Sequence, residues 1–369
     1  MSKEKQILHH IRMNPFISQQ ELAKKVGLSR PAVANYIAKL TRLGEIKGRA
    51  YILKEESSIM CIGGANTDRK AKSNHKVRLH SSNSVKVTEV CGGVARNVAE
   101  NLSRLGHSAS LLTCVGNDRE GQWILEETKH HGVDVSLVWT LESRRTGTYT
   151  ALIDVTGDMV VSMADMDLYE QITIEMIEEK WSHIAAAEAV FLDTNFPKDA
   201  IHFVIERCRE ENIPLYVNPV SHEKAQKLPY NLEGVELLIL DQEEIQPLAD
   251  EEIKSEEQLR TASKKMLERG VRHVIILLHD HGVYYESKDE SGYLPPYPNK
   301  VADETGADDA FTACVMHGLL NGESFAAACR LGLAGYSLTQ QTERSVSTEM
   351  RQDKIETLAK EHDNMKKEK

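Results

Sequence analysis

At 369 residues the chain exceeds one ordinary domain and can bury a substantial core. Its formal charge of −11 is split, with eleven Lys/Arg against three acids in residues 1–54 and a net −19 in the rest, which argues against a polyanion-coated enzyme and for a basic nucleic-acid reader attached to an acidic body. Six scattered cysteines without a C-x-x-C pair argue against a zinc site or disulfide framework. No signal-peptide pattern or apolar run of transmembrane length is present, so the expectation is a soluble, cytoplasmic protein without a membrane partner.

Residues 4–13 carry Ile7, Leu8 and Ile11 at helical spacing. Ser18-Gln-Gln-Glu21 is a capping-box pattern opening a second helix with Leu22, Ala23 and Val26 inward. Gly27 ends it, and Ser29 caps a third helix with Pro31 in its first turn, where a missing N–H costs nothing. Val33, Ile37 and Leu40 face inward there, while Arg30, Asn35, Tyr36 and Lys39 face outward. Residues 44–53 then alternate like a short hairpin. This order resembles a winged helix-turn-helix domain over residues 1–54. The resemblance implies a double-stranded DNA partner, with the third helix (Ser29, Arg30, Asn35, Tyr36, Lys39) in the major groove and Lys47 and Arg49 of the wing on phosphates. A small helical bundle for protein contact is the alternative. The basic and polar outer face of the third helix favours DNA.

Residues 55–58 hold no core residue and are assigned as a linker. From 59 to 350, apolar runs at 59–62, 109–115, 189–192, 215–217, 237–240 and 274–278 suit strands buried on both faces. Helical patterns at 93–105, 119–130, 173–184, 198–210 and 255–269 lie between them. That alternation predicts an α/β domain, a mostly parallel sheet with helices on both faces. Residues 76–90 and 147–164 alternate apolar and polar like half-exposed antiparallel strands, predicting a small β lid. Residues 351–369 form a charged tail, read as a surface helix that frays.

Four segments carry candidate chemistry. They are Gly63-Gly64-Ala65-Asn66-Thr67-Asp68 at the end of the first strand, Cys91-Gly92-Gly93-Val94-Ala95-Arg96-Asn97 opening a helix, Asp241-Gln-Glu-Glu244 at a strand end, and Asp303-Glu304-Thr305-Gly306-Ala307-Asp308-Asp309-Ala310-Phe311. Ligands of open parallel sheets gather beyond the strand C-termini. The last segment is the most telling, a small-residue turn entering a helical pattern at Phe311, Val315, Leu319 and Leu320. Its first N–H groups lack helical acceptors and attract anions. A carboxylate in that turn can take a proton from a nucleophile while the amides hold a phosphoryl group. The plainer reading makes Thr305 or Asp303 a helix cap and Asp308 and Asp309 complements to the helix dipole.

In this order the segments resemble the ribokinase-like (PfkB) carbohydrate and nucleoside kinases, from residue 59 to about 345. The resemblance implies Asp309 as catalytic base, with Gly306, Ala307 and Asp308 supplying the anion hole. It implies Asn66, Asp68, Gly92, Gly93 and Asn97 around the sugar, and Asp241 and Glu244 near magnesium and the phosphates. ATP, Mg2+ and a monovalent cation such as K+ are the implied cofactors. Asp241 also reads as a helix cap, Glu244 as a solvated helix face and Asn66 as a turn residue. Three departures concern the nucleotide side. Asp308 stands where the family has glycine, Asp241 where it has Asn, and Leu278-His279-Asp280-His281-Gly282 where it has T-L-G-x-x-G. The two histidines are read as exposed loop residues rather than as a metal site.

Fusion of the two domains, with I-S-Q-Q-E-L-A, L-S-R-P-A-V-A, G-E-I-K-G-R-A-Y-I-L and C-G-G-V-A-R-N, is similar to a bacterial pseudouridine kinase subgroup. It implies phosphorylation of a nucleoside 5′-hydroxyl, with Asn195 of Asp193-Thr194-Asn195 reaching a nucleobase edge. The exposed lid faces predict a homodimer. A ribose or fructose kinase is one alternative. A transcription regulator with a weakened kinase-like sensor domain is the other.

Overall fold

The computed structural model describes residues 2–15, 17–46 and 58–367. The wing from residue 47, including Lys47 and Arg49, and most of the predicted linker lie outside the described residues. Helices α1 (Lys3–Met13), α2 (Gln19–Val26) and α3 (Arg30–Arg42) pack around Ile7, Ile11, Leu22, Val33 and Leu40. The capping box forms as expected: Ser18 Oγ accepts from Glu21 N at 3.2 Å, and Glu21 Oε2 accepts from Ser18 N at 3.2 Å. Ser29 Oγ accepts from Ala32 N at 3.3 Å.

The second domain begins with β1 (Ser58–Ile62), followed by β2 (Asn66–Ser73), β3 (Val85–Gly92), α4 (Val94–Arg104), β4 (Ser108–Leu112), β5 (Cys114–Gly116) and α5 (Arg119–His130). Next come β6 (Trp139–Leu141), β7 (Thr148–Ile153), β8 (Met159–Asp165), α6 (Ile174–Ile184), β9 (Ala189–Asp193), α7 (Lys198–Glu211), β10 (Leu215–Asn218) and α8 (His222–Ala225). The remainder is β11 (Val235–Asp241), α9 (Gln242–Ala249), α10 (Glu256–Glu268), β12 (His273–Leu277), β13 (Val283–Ser287), β14 (Ser291–Leu294), α11 (Ala307–Leu320), α12 (Phe325–Gln340) and α13 (Gln352–Lys367).

Eight strands form one sheet in the order β14-β13-β12-β11-β10-β9-β1-β4, parallel except at the antiparallel edge β12-β13-β14. Alternation along β1 explains the two layers of core. Ile59 and Cys61 join Phe191, Phe311 and Cys314 on one face, whereas Met60 and Ile62 join Leu192, Ile177 and Val204 on the other. A second sheet, β3-β2-β7-β8, is the lid. Among the described residues, no helix is long and apolar enough to cross a membrane.

Three expectations are corrected. The run 109–115 is not one strand: it breaks at Thr113, and β5 leaves the main sheet to pair with β6. The first lid strand is β2, with 76–84 in a loop, because three residues, Gly63–Ala65, separate the end of β1 from it. Finally, the tail beyond 350 docks: Ile355 and Ala359 of α13 are buried in the main core, anchoring an otherwise charged helix.

Candidate active site

The turn entering α11 is shaped by Gly306, at φ 80°. A Cβ there would lie 1.9 Å from the Ser345 carbonyl oxygen, so both backbone angle and space demand glycine. The Ala307 N–H bonds Glu304 O at 3.1 Å, which removes one of the three expected anion-hole donors. The N–H groups of Gly306, Asp308 and Asp309 have no acceptor among the described residues. The open donors therefore differ from the expected set by one member, with Asp309 in place of Ala307.

Asp309 lies in the first turn of α11 and is 7% exposed. Its Oδ2 accepts from Asn97 Nδ2 at 2.8 Å. Burial pushes this carboxyl up to about 8. The Asn97 donor opposes that rise, and the nearby charges of Asp308, Asp193 and Asp68 add to it. Asn97 is itself oriented, since its Oδ1 accepts from Arg96 Nη1 at 3.0 Å. Arg96 is buried with Glu100 as its ion-pair partner.

Asp68 faces the same region from β2. Its Oδ1 accepts from Asn66 Nδ2 at 2.6 Å, and burial raises it to about 6 against the pull of Asn66, Lys70 and Arg96. A Cβ on Gly92 would lie 2.0 Å from Asp68 Oδ2, and one on Gly93, at φ 99°, would strike the Ala65 Cα at 2.5 Å. The glycine pair thus admits the Asp68 carboxylate and lets α4 abut the β1–β2 turn. Asp193 fixes that turn, accepting from Gly64 N at 2.8 Å and Ala95 N at 3.0 Å. The sequence contained the residue, but bonds across 129 and 98 positions left no local signal.

Other expected residues are engaged differently. Asn195 donates Nδ2 to Asp193 Oδ1 at 2.9 Å and accepts from Lys224 Nζ at 2.5 Å, which orients its amide and leaves one N–H and one lone pair over. Lys224, missed in the sequence, is the half-buried cation at that position. Asp241 is the N-cap of α9 and forms a capping box with Glu244: Asp241 Oδ1 accepts from Glu244 N at 2.7 Å, and Glu244 Oε2 accepts from Asp241 N at 2.9 Å. The helix-cap alternative is realised, and Glu244 is buried rather than on a solvated face. Burial raises Glu244 to about 8, with Asp241 and Asp308 adding to the shift.

Asp308 Oδ1 is buried with no hydrogen-bond partner among the described residues. Burial raises this carboxyl, Asp241 and Glu304 add to the rise, and His279 opposes it. His279 occupies a left-handed φ of 47°, a conformation suited to the glycine expected there. Both loop histidines are exposed. Among the described residues, no three His, Cys, Asp or Glu side chains are grouped to hold a metal ion unaided. The unpartnered Asp308 oxygen beside Asp241 and Glu244 nonetheless fits a cation that arrives with phosphates and completes its shell from them.

A pfkB family carbohydrate kinase model matches residues 56–349. The chain belongs to the pfkB family of carbohydrate kinases. A winged helix-turn-helix DNA-binding model matches residues 2–47. The chain is 33% identical to the uncharacterized sugar kinase YeiI of Escherichia coli over 90% of its length and 92% of that protein. It is 30% identical to the pseudouridine kinase of Escherichia coli over 75% of its length and 88% of that protein. The Arabidopsis thaliana ribokinase complexed with ribose and ATP superposes with a TM-score of 0.69 at 20% identity, covering 82% of this chain and 98% of that one, which establishes the shared fold. This pfkB kinase is thus a phosphotransferase with an alcohol acceptor, carrying a winged helix-turn-helix domain.

In that N-terminal domain Ser29, Arg30, Asn35 and Lys39 are exposed, and Tyr36 is half-buried against the core. Lys39 pairs with Glu4 at 2.7 Å on the exposed surface.

Proposed function

We propose that this kinase transfers the γ-phosphoryl group of ATP to the 5′-hydroxyl of a nucleoside, pseudouridine first among candidates. The observation that carries the proposal is the first turn of α11, where the Asp309 carboxyl sits among open backbone donors and is held by Asn97. Asn66 and Asp68 hold the sugar hydroxyls. An analogue lacking one hydroxyl leaves a buried acceptor unpaired and is rejected. Asp309 accepts the proton of the attacking hydroxyl. The N–H groups of Gly306, Asp308 and Asp309 stabilise the charge that develops on the phosphoryl oxygens.

Mg2+, bound through ATP, would neutralise the phosphates beside Asp241, Glu244 and Asp308. The lid strands exclude water over the sugar. The 30% identity to the pseudouridine kinase supports the nucleoside class, while a ribose- or fructose-like acceptor is the alternative within the same chemistry. Purified protein incubated with Mg-ATP and a panel of nucleosides and sugars tests this directly. Formation of pseudouridine 5′-phosphate in preference to the other monophosphates is the expected result, and no monophosphate from any acceptor contradicts it.

A second reading is favoured by the winged-helix match: the domain binds double-stranded DNA through α3 and answers to occupancy of the kinase site. Cytoplasmic action fits six buried free cysteines. A homodimer through the lid fits the exposure of Val87, Met159, Val161 and Met163.

A further inference from the structure

The period-2 geometry of β2 places Asn66, Asp68, Lys70 and Lys72 on one face of the lid. Two of these positions bridge to the body. Lys70 pairs with Asp303, and Lys72 with Glu343 at 3.5 Å. Neither landing point is incidental to the phosphoryl-transfer turn. Asp303 Oδ1 accepts the Thr305 N–H at 2.9 Å, immediately before Gly306. Glu343 lies on the loop whose Ser345 carbonyl packs against Gly306.

These two segments are themselves tied, since Ala302 N and Asp303 N donate to Gln340 O at 2.7 and 3.2 Å. The pairs span a cleft of about 450 Å³ lined by Lys70, Lys72 and Thr88 on the lid side and Asp303, Glu343 and Arg344 on the body side. Across such a gap the ionic contacts carry the coupling. The outer pair is exposed, at 49% and 73%, and is screened by solvent; the inner one is shielded, at 12% and 14%.

We propose that Lys70 is a positioning residue that couples lid placement to the phosphoryl-transfer turn through Asp303. It touches neither acceptor nor phosphate. It holds the Asp303 carboxylate, which holds the Thr305 amide and hence the entry to Gly306. The same strand carries Asp68 two residues earlier, so seating the sugar on Asp68 also seats the latch. The inference rests on the reading of Asp309 and its turn given above.

The experiment compares full-length Lys70→Met, Lys70→Arg, Asp303→Asn and the Lys70→Met/Asp303→Asn double variant. It reads amide exchange at Thr305 without substrate, melting temperature, and kcat and KM for the acceptor. The expected result for Lys70→Met is at least ten-fold faster Thr305 exchange and a kcat lowered about ten- to hundred-fold, with acceptor KM changed less than about three-fold. Lys70→Arg should restore most of both. The double variant should be no worse than either single change, because each breaks the same link. Unchanged Thr305 exchange overturns the proposal, as does a loss confined to KM or additive losses in the double variant. Asp309→Asn, run alongside, separates the two readings. If it leaves transfer intact while Thr305 exchange still responds to Lys70→Met, the assignment of the base fails and the latch stands.

Discussion

Asn97 Nδ2 donates to Asp309 Oδ2 across 2.8 Å, joining the first turns of two helices 212 residues apart. The donor is fixed from behind by Arg96, so the carboxyl that burial drives upward is met by an amide that cannot rotate away.

This relationship predicts a pH profile. With Asp309 pushed up to about 8, the base is mostly protonated below neutrality, and kcat/KM should climb with pH to a plateau above about 8. In Asn97→Ala the donor that lowers the pKa is gone. The acid limb should move to higher pH, and kcat/KM at pH 7 should fall about ten- to hundred-fold. A limb that does not move contradicts the role given to Asn97.

The same shift has a consequence for stability. The native carboxyl titrates near 8 and the unfolded one near 3.8, so the native state holds the proton over that interval. The associated stability is present in full below about pH 4 and is lost as pH rises toward 8. Asp309→Asn removes the ionisation but keeps an oxygen for Asn97. Its stability should match wild type near pH 4 and exceed it by on the order of 1–3 kcal/mol at pH 8. Urea unfolding at the two pH values checks the sign.

Asp308 replaces the glycine expected in this turn, and its Oδ1 has no partner among the described residues. If that oxygen faces the cation carried by ATP, Asp308→Asn should raise the Mg2+ concentration for half-maximal activity about three- to ten-fold. Magnesium titration at saturating ATP makes the measurement. A lower requirement in the variant would show that Asp308 repels the nucleotide instead.

On β8, Met159, Val161 and Met163 are all exposed, and Val161 and Met163, opposite Leu152 and Thr150 of β7, share one face. A glutamate at Val161 should not disturb a solvated lid but should disrupt a lid-to-lid dimer. Light scattering is expected to show a dimer for wild type and a monomer for Val161→Glu. An unaltered mass would place the subunit contact elsewhere.

Much of the fold was legible because the strands of the main sheet are short apolar runs and the helices between them are amphipathic. The first lid strand was not, since Asn66-Thr-Asp-Arg-Lys-Ala-Lys-Ser73 is mostly polar and sits between β3 and β7, neighbours that local sequence does not reveal. The Asp309 turn was legible from its small residues and its position before an apolar helix. What that turn contacts was not: Ser345 against Gly306, Asn97 on Asp309 and Lys70 on Asp303 are all long-range in sequence. Asn195 is likewise held by partners that local sequence does not reveal, since Lys224, 29 residues on, donates to its amide oxygen.

The most direct test of the account is single-turnover phosphoryl transfer by Asp309→Asn, with acceptor affinity measured on the same preparation. The account predicts a transfer rate at least about 10³-fold below wild type with acceptor binding retained within a few-fold. Transfer at a rate comparable to wild type would contradict it.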